Sequence, residues 1–187
     1  MDSGEEKDLI KRAQRDPDAF AELYDHYYPK IFGYVLRRTA NLEMAQDITS
    51  ETFFQTLRKL WQFRWRNISF SSWLYKIASN EVNQYLRKAE YKKSASLEAL
   101  QEQGFDPISS HDLESELIEA QEQLERYQDF LKIQERIVRL PIKYQEVIAL
   151  RFFEQKQIRE IAEILGKKEG TVKSLLHRAV EKLREGE

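Results

Sequence analysis

Cysteine is absent from the 187 residues, which excludes disulfides and thiolate chemistry and fits a reducing compartment. Only four prolines and six glycines occur, too few for a turn-rich β fold, and no segment shows sustained period-two alternation. No apolar run approaches the roughly 20 residues a membrane helix needs. The acidic amino terminus MDSGEEKD lacks the positive charge of a secretory signal. No nucleophile–base pair, phosphate-binding glycine loop or metal-ligand cluster is visible, so neither an enzyme nor a cofactor is expected. What remains is a soluble, cytoplasmic, all-α protein.

Its composition is that of a folded chain, 41% hydrophobic, 12% aromatic and 33% charged. The formal net charge of -2 conceals segregation. Residues 26–93 carry 12 Lys+Arg against 5 Asp+Glu, and residues 132–187 carry 13 against 9. Between them residues 94–131 carry 1 against 10, and residues 1–25 carry 4 against 8. Two basic modules, 1–93 and 132–187, are therefore expected on either side of an acidic linker, 94–131.

Apolar spacing of three and four predicts the helices. The first, about Glu5 to Arg15, ends before Pro17; the second starts near Asp18, a candidate cap, and runs to Arg38 through Pro29, which should bend it. A third spans about Glu43 to Trp61, with Ile48, Phe53, Phe54, Leu57, Leu60 and Trp61 as its inward set. A fourth, about Ser71 to Lys88, buries Leu74, Ile77, Ala78, Val82, Tyr85 and Leu86. The stretch 94–110 reads as linker, Asp112 to Leu140 as helical again, and Pro141 opens a helix through Phe153. The last two helices are about Gln157 to Leu165 and Lys168 to Arg184, with Gly166 between them able to take a positive φ.

That terminal pair has helix-turn-helix spacing. On its second helix Val172, Leu176, Ala179 and Leu183 share one face, and Thr171, Ser174, His177, Arg178 and Glu181 share the other. The outer face suits a duplex groove, where Thr, Ser and Arg reach base edges and Lys neutralises phosphate; a solvated face on an ordinary helical hairpin would look the same. The segment IREIAEILGKKEGTVKSLLHRAVEKLRE resembles the carboxy-terminal, promoter-reading region of bacterial sigma factors. The resemblance implies that Lys168, Thr171, Lys173, Ser174, Leu175, His177, Arg178 and Lys182 address the minus-thirty-five element. Leu175 stands where many members carry Arg, and Lys156 and Gln157 where the family has an apolar residue and a Ser or Thr cap.

Upstream, AQDITSETFFQTLRKLWQF and FSSWLYKIASNEVNQYLRK resemble the second conserved region of the extracytoplasmic-function sigma factors. Asp47 and Glu51, four apart, offer carboxylates on one helix face; by themselves they read as a solvated pair. The resemblance makes the face carrying Met44, Asp47, Glu51 and Phe54 the docking site for core RNA polymerase, whose clamp and flap are the implied contacts. Trp73, Lys76, Asn80, Asn83 or Gln84, and Arg87 with Lys88 recur along one side of the fourth helix, and Arg64, Trp65 and Arg66 precede it. Such a line offers stacking, amide readout and phosphate neutralisation, and the resemblance assigns it to melting and reading the minus-ten element of promoter DNA. By themselves Phe63, Phe70 and Trp73 read as core before stacking surface, and Trp65 is open between the two roles. Gln84 replaces an Asp common in the family.

The acidic linker reads as a soluble tether, as a strand following the polymerase's nucleic-acid channel as in the family, or as an intramolecular shield over the basic modules. The expectation is an alternative sigma factor, commonly restrained in its group by an anti-sigma factor. The other readings are a helix-turn-helix regulator and a helical protein-interaction module.

Overall fold

The structure, a computed structural model, describes residues 3–65, 68–95 and 133–185. Among them every regular element is helical: α1 (Ser3–Ala13), α2 (Pro17–Thr39), α3 (Leu42–Lys59) with a 3-10 turn at Leu60–Gln62, and α4 (Phe70–Ala95). Helical turns over 133–139 lead to α5 (Ile142–Ile148), one π-helical turn at Ala149–Phe153, α6 (Ile158–Leu165) and α7 (Glu169–Glu185). Residues 96–132, which hold nearly all of the expected acidic linker and most of the helix expected from Asp112, lie outside the described residues, as does Arg66.

Local chemistry explains the boundaries. The α2 cap is Asp16, not Asp18: its carboxylate accepts from the Asp18 N–H at 3.0 Å while Pro17 occupies the first helical position. The helix runs on through Pro29 to Thr39. Asn41 caps α3 by accepting from the Met44 N–H at 2.9 Å. Gly166 ends α6 at φ 62, and the next amide, Lys167 N–H, donates to Ala162 O at 2.9 Å. A Cβ on Gly166 would meet nothing within 4 Å, so the dihedral and not crowding calls for glycine. The helix expected to continue through Phe153 gives way to the π turn after Ile148.

The same left-handed termination at α2 is made by Ala40, φ 49, whose N–H donates to Leu36 O at 2.8 Å. Alanine there carries the Cβ penalty that glycine avoids, about 1 kcal/mol. Ala40→Gly is expected to raise the thermal midpoint by about 2–4 °C, read by circular dichroism.

The amino-terminal core gathers Leu23, Ile31, Tyr34 and Val35 of α2, Ala45, Ile48 and Phe53 of α3, and Phe70, Leu74, Ala78 and Val82 of α4. The inward set of α3 differs from expectation. Phe54, Leu57 and Trp61 are 53%, 48% and 63% exposed, whereas Ala45, Ile48, Thr49, Thr52, Phe53 and Thr56 face inward. Thr52 and Thr56 tolerate burial because Thr52 donates to Ile48 O and Thr56 to Thr52 O, both at 2.7 Å, whereas the Thr49 hydroxyl is buried without a partner. Tyr85 and Leu86 are only half-buried at the outer end of the α4 stripe. In the carboxy-terminal half Ile137, Tyr144, Val147, Leu150, Ile161, Val172 and Ala179 are buried, and α5 and α6 pack across α7.

Candidate polymerase and nucleic-acid interfaces

Three faces hold the residues singled out by sequence. On α3, Asp47, Glu51, Phe54, Arg58 and Trp61 follow one another at threes and fours along the outside, all exposed. Glu51 accepts from Gln55 Nε2 at 2.7 Å, and the Arg58 guanidinium lies over the Phe54 ring at 5.7 Å. Met44 is half-buried beside this stripe. Exposed Leu57 and Trp61, expected inward from their spacing, extend the apolar part of the face beside Phe54. Exposed apolar side chains beside carboxylates are the composition of a protein-binding surface. Glu81 of α4, also missed, adds a carboxyl: partial burial first and then the charge of Glu51 hold it above the usual carboxylate range.

On α4, Lys76, Asn80, Gln84, Arg87 and Lys88 are exposed at intervals of three and four. Asn83 is not among them. Its side chain turns inward, where Oδ1 accepts from Arg38 Nη2 at 2.7 Å and Nδ2 donates to Glu146 at 2.8 Å. Of the two amides weighed for one role, Gln84 has the outward place. Trp73 is half-buried, its ring 5.1 Å from Phe63 and 5.7 Å from Phe70, so it stiffens the helix start with only part of its face outside. Trp65 is likewise half-buried, edge-on to Phe63 at 6.1 Å. Arg64 is exposed but directed at its own loop, donating to Trp61 O at 2.7 Å and Phe63 O at 3.1 Å. Gln14 of α1, unremarked in the sequence, clamps the same turn through Nε2 to Leu60 O and Phe63 O at 2.9 and 3.0 Å.

On α7, Val172 and Ala179 are buried and Leu176, Val180 and Leu183 pack beside them. Thr171, Lys173, Ser174, His177, Arg178 and Lys182 are exposed, as is Lys168 in the preceding turn. Leu175 is half-buried against the core, at the margin of this polar face. His177 Nδ1 lies 3.3 Å from Glu181 Oε2. Gln157 opens α6 in place of a Ser or Thr, its N–H donating to Glu160 Oε2 at 2.8 Å.

Among the described residues no three His, Cys, Asp or Glu side chains are grouped to hold a metal ion, and no helix is long and apolar enough to cross a membrane.

Residues 23–91 match the family description "Sigma-70 region 2", and residues 130–183 match "Sigma-70, region 4". The chain is 35% identical to the ECF RNA polymerase sigma factor SigW of Bacillus subtilis over 179 residues, 95% of this chain and 94% of that one. It is 30% identical to the ECF RNA polymerase sigma factor BldN of Streptomyces coelicolor over 183 residues, 97% of this chain and 66% of BldN. In fold it is similar to the sigma factor RpoE of Bartonella quintana, solved in complex with the anti-sigma factor NepR, with a TM-score of 0.67 at 20% identity, covering 89% of this chain and 94% of that one. An all-helical fold, matches to both conserved sigma regions and near-full-length identity to SigW lead to one conclusion: the chain belongs to the extracytoplasmic-function sigma factors of RNA polymerase.

Proposed function

We propose that this sigma factor, which directs transcription initiation, docks core RNA polymerase through the outward face of α3 and addresses promoter DNA through α4 and α7. The observation that carries the docking assignment is the α3 stripe, with Asp47 and Glu51 above Phe54, Leu57 and Trp61. Carboxylates there offer charge to basic side chains, and the exposed aromatics supply area to bury. Lys76, Asn80, Gln84, Arg87 and Lys88 address the minus-ten element, with Arg64, Trp65, Arg66 and Trp73 at the start of the line. Stacking contributes roughly 1–3 kcal/mol per base, comparable to the few kcal/mol that extruding a base costs, so an opened base is captured without ATP. Thr171, Ser174, His177 and Arg178 enter the groove of the minus-thirty-five element, while Lys168, Lys173 and Lys182 neutralise phosphates. The module boundaries near 93 and 132 follow from this division of labour. The chain catalyses nothing itself, acts in the cytoplasm with the polymerase, and is restrained there by an anti-sigma factor, as the complex of RpoE with NepR suggests.

The test is reconstitution: sigma-free core polymerase mixed with the purified chain initiates at a defined start on a cognate promoter fragment. A DNA-binding regulator would need another sigma factor in the tube, so accurate initiation without one separates the two readings. In the same system Arg178→Ala is expected to weaken holoenzyme binding to the upstream element by roughly 1–3 kcal/mol, with the loss largest at one base position. A uniform loss across promoter sequences would reduce Arg178 to a phosphate contact.

A further inference from the structure

The turn that leads out of α3 toward α4 is held from a third element. Gln14 stands one residue past the end of α1, its N–H still donating to Ile10 O at 3.0 Å. Its side-chain Nε2 spends both hydrogens on the turn, donating to Leu60 O at 2.9 Å and to Phe63 O at 3.0 Å. The Phe63 N–H also donates to Leu60 O, at 3.0 Å. Arg64 Nη1 adds bonds to Trp61 O at 2.7 Å and again to Phe63 O at 3.1 Å. Carbonyls that a helix end leaves open are thus taken by two side chains. Arg64 is a local donor, enough for a cap. Gln14 reaches the turn from 46 residues upstream, which ties the loop to α1.

Gln14 is itself anchored. Leu9, Ile10 and Ala13 of α1 are buried, Arg12 Nη2 donates to both carboxylate oxygens of Glu22 on α2 at 3.1 and 3.0 Å, and the Tyr27 hydroxyl of α2 donates to Glu6. Two residues beyond Gln14, Asp16 caps α2. A side chain set between two packed helices imposes a position on the turn.

Phe63 is where the chain leaves helical geometry, at φ -61 and ψ 129. Its carbonyl belongs to the planar unit joining Phe63 to Arg64, so two donors on that oxygen fix the plane from which Arg64 and Trp65 depart. The buried Phe63 ring lies 6.1 Å from Trp65, 5.5 Å from Phe70 and 5.1 Å from Trp73. Turn, aromatic cluster and the start of the α4 line therefore share one reference point. A surface that catches an extruded base binds it better when ordered beforehand, because ordering at the moment of capture is subtracted from the affinity.

We propose that Gln14 is a positioning residue for base capture: from the end of α1 it fixes the Leu60–Phe63 turn and so presets Arg64 and Trp65 at the head of α4. The proposal deepens the minus-ten assignment of this loop and rests on it.

The experiment uses holoenzyme reconstituted from the full chain and core polymerase. The probes are forked DNAs with the minus-ten strand unpaired, intact or with an abasic site moved one position at a time. Wild type is expected to prefer the intact fork about tenfold at one position, as a stacked base requires. Gln14→Met keeps the length of the side chain but has no N–H, and is expected to reduce that preference to about twofold or less, with core affinity within about twofold of wild type. Gln14→Lys returns a donor and is expected to recover most of the preference; taking a ratio of two forks cancels the uniform effect of its added charge. Trp61, Trp65 and Trp73 are the three tryptophans of the chain, so acrylamide quenching of the free protein reads the loop directly. It is expected to increase in Gln14→Met and to return toward wild type in Gln14→Lys.

An unchanged preference in Gln14→Met overturns the positioning role. Core affinity falling in parallel with fork binding also overturns it, by reducing Gln14 to a folding residue. A wild type that shows no preference at any position overturns the minus-ten reading of the loop, and the proposal with it.

Discussion

Reversing Asp47 and Glu51 together to lysine is expected to abolish association with core polymerase while leaving the fold intact. Both side chains are exposed on one face of α3, and the intrachain bond at stake is Gln55 to Glu51, on the surface. The thermal midpoint should therefore stay within a degree or two, as exposed pairs contribute about 0–1 kcal/mol. Binding is different. A like-charge juxtaposition across an interface costs several kcal/mol, and two of them reduce affinity by more than about 100-fold at roughly 1.4 kcal/mol per decade. Fluorescence anisotropy with labelled core enzyme measures this directly. Trp61→Ala on the same face separates charge from apolar contact: it should weaken binding without altering its salt dependence. Retained holoenzyme assembly by the double reversal would remove this face from the docking assignment.

The largest effect on stability is expected at Arg38. It is 0% exposed, yet its guanidinium is threaded into a hydrogen-bond chain: Nη1 to the Tyr34 hydroxyl at 3.1 Å, Nη2 to Asn83 Oδ1 at 2.7 Å, then Tyr34 to Ser79 Oγ at 2.7 Å and Asn83 to Glu146 at 2.8 Å. Arg38→Ala leaves a cavity and strips buried Tyr34 and Asn83 of the guanidinium they share. Deleting one member of such a set costs about 3–5 kcal/mol, a large part of the 5–15 kcal/mol a domain of this kind holds. Urea unfolding monitored by circular dichroism should show the midpoint fall accordingly. Arg38→Met fills the same space without leaving a void, so it is expected to cost less than the alanine. An alanine variant within about 1 kcal/mol of wild type would mean that water replaces the guanidinium.

Docking residues and stabilising residues were not equally visible in the sequence. Aspartate and glutamate four apart on a helix announce a shared outward face, and Thr171 through Lys182 announce another, because 3.6-residue periodicity is local. The misassignment on α3 has an equally local cause. Phe54, Leu57 and Trp61 look like core and Thr49, Thr52 and Thr56 look like surface, until helix carbonyls satisfy the Thr52 and Thr56 hydroxyls and small side chains allow close packing. Transfer preference counts atoms without knowing which face another helix will cover. Arg38 is the reverse case, a cation buried because Tyr34 and Asn83, four and 45 residues away, converge on it.

The helices among the described residues, the turn at Gly166, the charged segregation of the chain and the polar face of α7 were settled by neighbours within about one helical turn, where spacing and dihedral preference suffice. Which side of α3 is presented, where Asn83 points, and how Glu154 reaches Arg37 across 117 residues were settled only when the helices came together. Burial and ion pairing depend on distances that one-dimensional order does not contain.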